Sequence, residues 1–206
     1  MNDTRRFSRA AVEWAAGSAH AAPAAQELAA GLGVVVLVEG VSDQAALEAL
    51  AARGGRDLDA EGIAIVPLGG ATSIGRFLKL FGPQGLGLRL AGLCDAGEEP
   101  YFRRSLELAG LGSSAFHVCE ADLEDELIRA LGADSVQQVV EEQGELRSFR
   151  TFQKQPAQRE RTVEQQLRRF LGTHSGRKAQ YARALVEHLD PARVPRPLEL
   201  LLADAT

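Results

Sequence analysis

A five-residue apolar run, Val34 to Val38, is the feature that most limits what this chain can fold into. It is β-branched apart from one leucine and is bounded by Gly33 and Glu39, which predicts a short strand buried on both faces, as in a parallel sheet. Three similar runs follow after segments of helical pattern, at residues 63–66, 88–94 and 115–118. Strands that alternate with helices predict an α/β domain with a mostly parallel four-stranded sheet flanked by helices.

The remaining residues have helical patterns, so the sheet region is predicted to lie between an N-terminal helical segment and a C-terminal helical extension. The three predicted regions are residues 1–32, 33–146 and 147–206. The first is rich in alanine and is predicted to form one or two helices, with a break near Gly17 or Pro23. Ser42 is predicted to cap the helix after the first strand. Helices are also predicted at 99–109, 122–131, 134–143, 157–171, 176–189 and 196–203.

The composition is that of a soluble protein of one domain. The chain has 206 residues, of which 45% are hydrophobic and 25% charged, and no apolar run approaches the roughly 18 residues that a membrane span needs. The first residues lack the apolar core of a signal peptide, and two cysteines are too few for a disulfide framework. We therefore expect a cytoplasmic protein that does not act at a membrane.

Charge is unevenly distributed along the chain. Residues 1–146 contain 11 basic and 22 acidic residues (−11), residues 147–183 contain 10 and 2 (+8), and residues 184–206 contain 2 and 4 (−2), which sum to the net charge of −5. An acidic body with a basic segment favours a protein that concentrates cations in one place and meets a polyanion in another. The alternative is a solvated basic helix face.

Acidic residues follow three of the predicted strands, and one more lies near the start of the next helix. Glu39 follows the first strand, Asp95 follows the third, and Glu120, Asp122 and Glu124 follow the fourth. Asp43 lies near the start of the helix after the first strand. The carboxyl ends of parallel strands meet at one edge of the sheet, where such folds bind ligands. Grouped carboxylates repel unless a cation joins them, and hard oxygen ligands suit Mg²⁺ or Mn²⁺ rather than Zn²⁺. The alternative for single members of the set is that they cap helices.

Five short motifs occur in a characteristic order over residues 33–188. They are Leu-Val-Glu39-Gly40-Val-Ser-Asp43, Gly69-Gly70-Ala-Thr-Ser-Ile, Leu-Cys-Asp95-Ala-Gly97, Asp122-Leu-Glu124-Asp-Glu-Leu and Ser175-Gly-Arg-Lys178. In this order they resemble the Toprim domain, a Rossmann-like fold, and within it most resemble the nuclease domain of OLD-family (overcoming lysogenization defect) endonucleases.

The resemblance implies a divalent-metal-dependent nuclease. It assigns one or two Mg²⁺ or Mn²⁺ ions to Glu39, Asp43, Asp95, Asp122 and Glu124. Glu39 and Lys178 are the implied catalytic residues, and Lys178 is expected to neutralise charge that develops on the scissile phosphate. The alternative for Lys178 is one more exposed lysine on a basic helix.

Two departures from the family pattern bear on activity. Gly97 stands where Toprim domains carry the second Asp of Asp-x-Asp, so Glu98 or Glu99 could replace that ligand, or the site could bind a single ion. In addition, OLD nucleases carry an ATPase domain, and this chain has no Gly-x-x-x-x-Gly-Lys-Ser/Thr stretch. We therefore expect ATP hydrolysis to be absent or to come from a partner ATPase in trans.

Nucleic acid, with DNA foremost, is the expected partner of the basic segment. The residues predicted to contact it are Arg161, Arg168, Arg169, Arg177 and Lys178. The segment is poor in aromatic residues, which favours phosphate contacts over base stacking. Two other hypotheses stay open: a catalytically weak or inactive Toprim module that binds nucleic acid or a partner ATPase, and a small-molecule phosphotransfer enzyme that uses the same carboxylates.

Overall fold

The structure is a computed structural model that describes residues 2–172 and 176–206, so Ser175 of the predicted lysine motif lies outside the described residues. The strands are β1 (Val34–Val38), β2 (Ile63–Pro67), β3 (Leu90–Asp95) and β4 (Phe116–Cys119). The α-helices are α1 (Asp3–Ala15), α2 (Ala22–Ala29), α3 (Val41–Arg53), α4 (Ile74–Phe81), α5 (Glu99–Leu108), α6 (Leu123–Leu131), α7 (Ala133–Glu142), α8 (Leu146–Gln153), α9 (Val163–Leu171), α10 (Arg177–His188) and α11 (Arg196–Asp204). Across the described residues, no helix combines the length and the apolar character that crossing a bilayer requires.

The four strands form one sheet in the order β2-β1-β3-β4, and each neighbouring pair is parallel. This confirms the predicted α/β fold, with its N-terminal and C-terminal helices. From β1 the chain first adds β2 on one side and then returns to add β3 and β4 on the other. The winding direction therefore reverses between β1 and β3, and in open α/β sheets ligands bind beyond the carboxyl ends of the strands at such a point.

Both faces of the sheet are covered by helices, which explains the unbroken apolar run in β1. Alternate residues of a strand point to opposite faces. Val34, Val36 and Val38 pack against α3 and the helices from α6 onward. Val35 and Leu37 pack against α1, α2, α4 and α5. The predicted division of the chain into regions 1–32, 33–146 and 147–206 stays a prediction.

The N-terminus of α3 differs from the sequence-based expectation. The helix begins at Val41 with Gly40 at the cap position, and Asp43 Oδ2 accepts a hydrogen bond from the Gly40 N–H at 2.8 Å. The prediction that Ser42 caps this helix is wrong. Asp43 satisfies this backbone N–H, and its negative charge in the first turn is favoured by the helix dipole.

The basic segment is also divided differently than predicted. A single helix over 157–171 is wrong, because α9 begins only at Val163, where Thr162 accepts a hydrogen bond from the Gln165 N–H at 3.3 Å and caps the helix. Helix α8 was not predicted. The apolar spacing of Leu146, Phe149 and Phe152 is the signal that indicates it.

Candidate functional site

A cleft of about 540 Å³ lies at the carboxyl ends of the strands, beside the point where the winding reverses. Its charged lining residues are Glu39, Asp43, Asp95, Glu124 and Lys178. The structure thus brings together five of the residues predicted for the site. They come from the ends of β1 and β3 and from the first turns of α3, α6 and α10.

Glu39 and Asp95 are neighbours because β1 and β3 are paired strands. Glu39 Oε2 is buried with no hydrogen-bond partner among the described residues. Burial raises the pKa of Asp95 to about 7, and the negative charges of Glu39 and Asp43 contribute to this rise. Burial also raises the pKa of Glu39. Two neighbouring acids with raised pKa values therefore lose their protons more readily when a cation binds beside them.

Asp43 and Glu124 form the other acidic side of the cleft, and both are only 7% exposed. Burial raises the pKa of Asp43 to about 6, although the hydrogen bond from Gly40 opposes the rise. Glu124 Oε1 is buried with no hydrogen-bond partner in the described part of the chain. This oxygen forms an ion pair with the Lys178 ammonium, with Nζ 3.3 Å from Oε1.

Lys178 is the one cation among the charged residues that line the cleft within the described ranges. Burial lowers the pKa of its ammonium group, but the charges of Glu124 and Asp122 outweigh burial, and the pKa lies above its ordinary value. The side chain therefore stays protonated at physiological pH. It is the group in the cleft that can approach an anionic phosphate.

The donor set fits a hard divalent cation. The acidic groups in the cleft are carboxyl groups, and the buried Oε1 of Glu124 forms an ion pair with Lys178. Glu39 holds a buried oxygen that lacks a hydrogen-bond partner within residues 2–172 and 176–206. In those same residues, no three His, Cys, Asp or Glu side chains stand close enough to hold one ion together. Mg²⁺ does not require this, because it usually keeps several waters and is bound through one or two carboxylates together with substrate phosphates.

The Gly69-Gly70 turn after β2 forms another wall of the cleft. Gly69 has a φ of 71° and Gly70 has a φ of 117°. Residues with a Cβ atom rarely adopt this backbone region. The Gly70 N–H donates a hydrogen bond to the backbone oxygen of Glu39 at 3.1 Å. The two glycines therefore hold the end of β1 in place while leaving the cleft open above them.

Asp122 lies beside the cleft and outside its lining. Its Oδ1 accepts a hydrogen bond from the Asp125 N–H at 2.8 Å and so caps α6, the helix that carries Glu124. Its Oδ2 accepts a hydrogen bond from Arg168 Nε at 2.7 Å. Both carboxylate oxygens of this predicted metal ligand are thus in use within the protein.

A second concavity, of about 430 Å³, opens around that ion pair and is called the arginine pocket below. Its lining residues are Asp122, Arg161, Gln165, Arg168 and Arg169. Three of the arginines predicted to contact nucleic acid therefore gather next to the cleft. Arg161 precedes α9, so these arginines share a pocket rather than one helical face.

Arg177 is placed differently from the other predicted contacts. Its side chain is 16% exposed, pairs with Glu145 at 3.0 Å and lies over the Phe170 ring, 5.0 Å from the ring centroid. These contacts join α9 and α10 to the residue before α8. They indicate a residue that supports the packing of the C-terminal helices.

Gly97 occupies the position at which the Asp-x-Asp pattern has its second acidic residue. A Cβ built at Gly97 meets no atom within 4 Å. Of the two residues offered as replacements, Glu99 pairs with Arg103. The charge of Glu98, next after burial, raises the pKa of Glu39. Of the two proposed replacements, Glu98 is therefore the one whose charge acts on the cleft. Val12 of α1, for which the sequence held no signal, also lines the cleft.

Divalent metal is expected to stabilise the protein. An ion that binds the folded chain at about 100 times its dissociation constant adds about 2.7 kcal/mol to the free energy of unfolding. The reason is that a cation relieves the repulsion among Glu39, Asp95, Asp43 and Glu124. Thermal unfolding in EDTA, Mg²⁺ and Mn²⁺ measures this, and an unchanged melting temperature in saturating amounts of both metals contradicts a metal site.

In the absence of metal, the acidic groups of the cleft are expected to lower the free energy of unfolding as the pH rises. An acid whose pKa is higher in the folded state binds more protons when folded, so its contribution to the free energy of unfolding falls with increasing pH. For Asp95 the window runs from 3.8 to about 7. Asp95→Asn should therefore gain stability over the parent by a margin that grows across this window in EDTA. Chemical denaturation at several pH values measures it, with exposed Asp134→Asn as the control, and a margin independent of pH contradicts the expectation.

The chain is similar to known proteins in sequence over part of its length and in fold over most of it. Residues 33–96 match the family described as "Overcoming lysogenization defect protein-like, TOPRIM domain". The fold is similar to the C-terminal region of the OLD protein of Burkholderia pseudomallei, with a TM-score of 0.65 and 19% identity over 84% of this chain and 97% of that one. It is also similar to the C-terminal region of the OLD protein of Xanthomonas campestris pv. campestris, with a TM-score of 0.61 and 25% identity over 84% and 94%. No curated protein matches the chain significantly in sequence.

Proposed function

We propose that this chain, whose residues 33–96 match an OLD-like Toprim domain, is a divalent-metal-dependent nuclease that hydrolyses phosphodiester bonds in nucleic acid. The observation that supports this most directly is the cleft, which combines four carboxylates with one ammonium group. A hard cation held by these carboxylates, together with the ammonium group of Lys178, would supply the positive charge that stabilises a phosphodiester as it is cleaved.

The residues divide into two roles. One or two of Glu39, Asp43, Asp95 and Glu124, together with water and substrate phosphate, would hold Mg²⁺ or Mn²⁺. Such an ion would supply activation of the attacking water and stabilisation of the leaving oxygen. Lys178 is held 3.3 Å from Glu124 and is free to shift from that carboxylate to a phosphate oxygen that enters the cleft. Burial of the carboxylates keeps bulk water from screening these charges.

The arginine pocket favours a polymer over a small molecule as substrate. Asp122, which lines this pocket, caps the helix whose Glu124 lines the cleft. A small phosphorylated substrate needs only the cleft, whereas a nucleic acid strand presents further phosphates at the distance of the next nucleotide. We take DNA as the polymer and the cytoplasm as the location of the reaction.

Nicking of supercoiled plasmid tests the proposal. The chain alone is incubated with plasmid in Mg²⁺, in Mn²⁺ and in EDTA. Conversion to the nicked circle that needs metal supports the nuclease. Plasmid that stays supercoiled in both metals contradicts it for the chain alone. Repeating the assay with a partner ATPase and ATP tests the supply of that activity in trans.

A module that binds nucleic acid without cleaving it is the second candidate, and Gly97 is the observation that favours it. The position of the missing acidic residue is open space, and no described side chain fills it. Binding of DNA without nicking supports this alternative. Nicking restored by Gly97→Asp in an otherwise inactive chain identifies the missing ligand as the cause.

Neutralising the arginine pocket is expected to weaken binding of all sequences alike. Arg168 and Arg169 replaced together by Gln should lower affinity for DNA and flatten the dependence of log affinity on log salt by about one to two units, because fewer counterions are released. Fluorescence anisotropy over a salt series measures both effects. Lys154→Gln, which removes a charge in the same basic segment but outside the pocket, is the control. Parental affinity of the double variant means that the pocket is only a solvated face.

A further inference from the structure

The side chains that line the arginine pocket offer hydrogen-bond donors, and their acceptor oxygens are already occupied. Asp122 accepts hydrogen bonds on both of its oxygens, from the Asp125 N–H and from Arg168. Gln165 accepts a hydrogen bond from the Thr162 N–H at 3.2 Å through its amide oxygen, which leaves its amide NH₂ for the pocket. A concavity lined by donors is suited to an anion with several acceptor oxygens.

The guanidinium groups of the pocket are available to such an anion. In the described part of the chain, Arg169 has no ion-pair partner, and the Arg161 guanidinium donates only to the backbone oxygen of Ala157, at 3.1 Å. Arg168 directs Nε and one terminal nitrogen to the same oxygen of Asp122, so its other terminal nitrogen remains. Three arginines and one aspartate leave the pocket with an excess of two positive charges.

A buried glutamine fixes the turn that carries Arg161 into the pocket. Gln166 lies on α9 and is 7% exposed, and its Nε2 donates to the backbone oxygens of Gln158 at 2.8 Å and of Arg161 at 3.2 Å. Its amide oxygen accepts a hydrogen bond from Gln153 Nε2 at 2.8 Å, which sets the orientation of the amide. Arg161 precedes α9 and the other two arginines lie on it, so these hydrogen bonds join the two parts of the pocket before a ligand binds.

The ligand that matches these groups is a phosphate monoester. A monoester carries a charge of about −1.5 to −2 at neutral pH and three acceptor oxygens. A phosphodiester within a strand carries a single charge and fewer such oxygens. Guanidinium groups bind phosphate oxygens in pairs. The excess of two positive charges and the four donor side chains therefore fit a monoester better than a diester.

We propose that the arginine pocket binds the terminal phosphate monoester of a nucleic acid strand in preference to a phosphodiester within the strand. This inference rests on nucleic acid as the ligand of the proposed function and adds the kind of phosphate that the chain selects. Asp122 of the pocket caps α6 and Glu124 of the cleft lies in its first turn, so both concavities adjoin the start of this helix. Hydrolysis of a phosphodiester leaves a monoester on one new end and a hydroxyl on the other. A cleaved strand is therefore expected to bind more tightly than an intact one.

The test compares strands that differ only at their ends. Fluorescence anisotropy in EDTA measures the affinity of the chain for a short, internally labelled single-stranded DNA with a 5′-phosphate, with a 3′-phosphate or with hydroxyls at both ends. EDTA prevents metal-dependent cleavage during the measurement. We expect a terminal phosphate to tighten binding by about tenfold or more, the effect of one added charge-assisted hydrogen bond. The end that gives this gain is the end that enters the pocket.

Matched variants separate a built pocket from a general effect of charge. Arg169→Gln should lose most of the preference for the phosphorylated strand, because the pocket loses one guanidinium group. Lys154→Gln removes an exposed positive charge of the basic segment outside the pocket, so it should keep the parental preference. Gln166→Met keeps every charge and removes the hydrogen bonds that hold the turn before α9, so it should also lower the preference. Arg169 is exposed, so its variant decides the proposal even if Gln166→Met does not fold.

The outcomes distinguish this inference from the proposed function. If the parent binds all three strands equally, or if Arg169→Gln and Lys154→Gln lower the preference alike, the pocket does not select a terminal phosphate and the nuclease proposal stands. If the preference is present and depends on Arg169, but the chain nicks no plasmid in either metal, the nuclease proposal is wrong. The chain is then a module that binds strand ends.

Discussion

Replacement of Glu39 by Gln is expected to reduce metal-dependent nicking by more than about 100-fold. Loss of groups that merely orient metal ligands typically costs 10–100-fold, and Glu39 is placed to bind the ion directly. Its Oε2 is buried without a hydrogen-bond partner in the described chain, and the charge of Glu39 adds to the effect of burial in raising the pKa of Asp95. An amide keeps the shape of the side chain and removes the charge that attracts the cation. Initial rates of plasmid nicking in Mg²⁺ and Mn²⁺ measure the loss.

Stability separates loss of the site from loss of the fold in this variant. Burial raises the pKa of Glu39, so a neutral amide should leave the metal-free protein at least as stable as the parent. Its melting temperature should respond less to Mg²⁺. Glu107→Gln, an exposed position on α5, is the control and should nick at the parental rate. A Glu39→Gln variant that nicks at the parental rate contradicts a metal site at the end of β1.

Replacement of Lys178 by Ala is expected to reduce nicking by about 10²–10³-fold while leaving most of the DNA binding. Removal of one group that stabilises charge in a transition state costs this much in other enzymes. Lys178 is the cation that faces the carboxylates of the cleft, 3.3 Å from Glu124. The arginine pocket, which we propose contacts the nucleic acid elsewhere, is unchanged by the substitution. Nicking rates and DNA anisotropy measured on the same preparation give both values.

A charge-matched control makes the Lys178 result interpretable. Lys154→Ala removes one positive charge from the basic segment outside both the cleft and the arginine pocket, so it should nick almost at the parental rate. Equal losses in the two variants indicate that Lys178 acts only through net charge. A Lys178→Ala variant that nicks at the parental rate would show that the lysine has no part in cleavage. That result would also contradict much of the proposed assignment of the site residues.

The fold was predictable because short-range patterns specify it. Val34–Val38 is apolar at every position, and only a strand covered on both faces requires this. The acidic residues that follow β1, β3 and β4 were expected to meet, because parallel strands end at the same edge of the sheet. Helix boundaries in the basic segment were less predictable, because the cap at Thr162 and the turn before it compete with a continuous helical pattern.

The sequence by itself determined that Glu39, Asp95 and Glu124 lie at one end of a parallel sheet, because strand direction and chain order leave no other arrangement. Only the tertiary structure decided which of the remaining charges face that cleft. Asp122 turns its Oδ2 to Arg168, 46 residues away in the chain, and Arg177 turns to Glu145 and Phe170. Such pairings depend on how α6, α9 and α10 pack against one another. Local sequence patterns do not specify the distance between two helices that are separated by other elements along the chain.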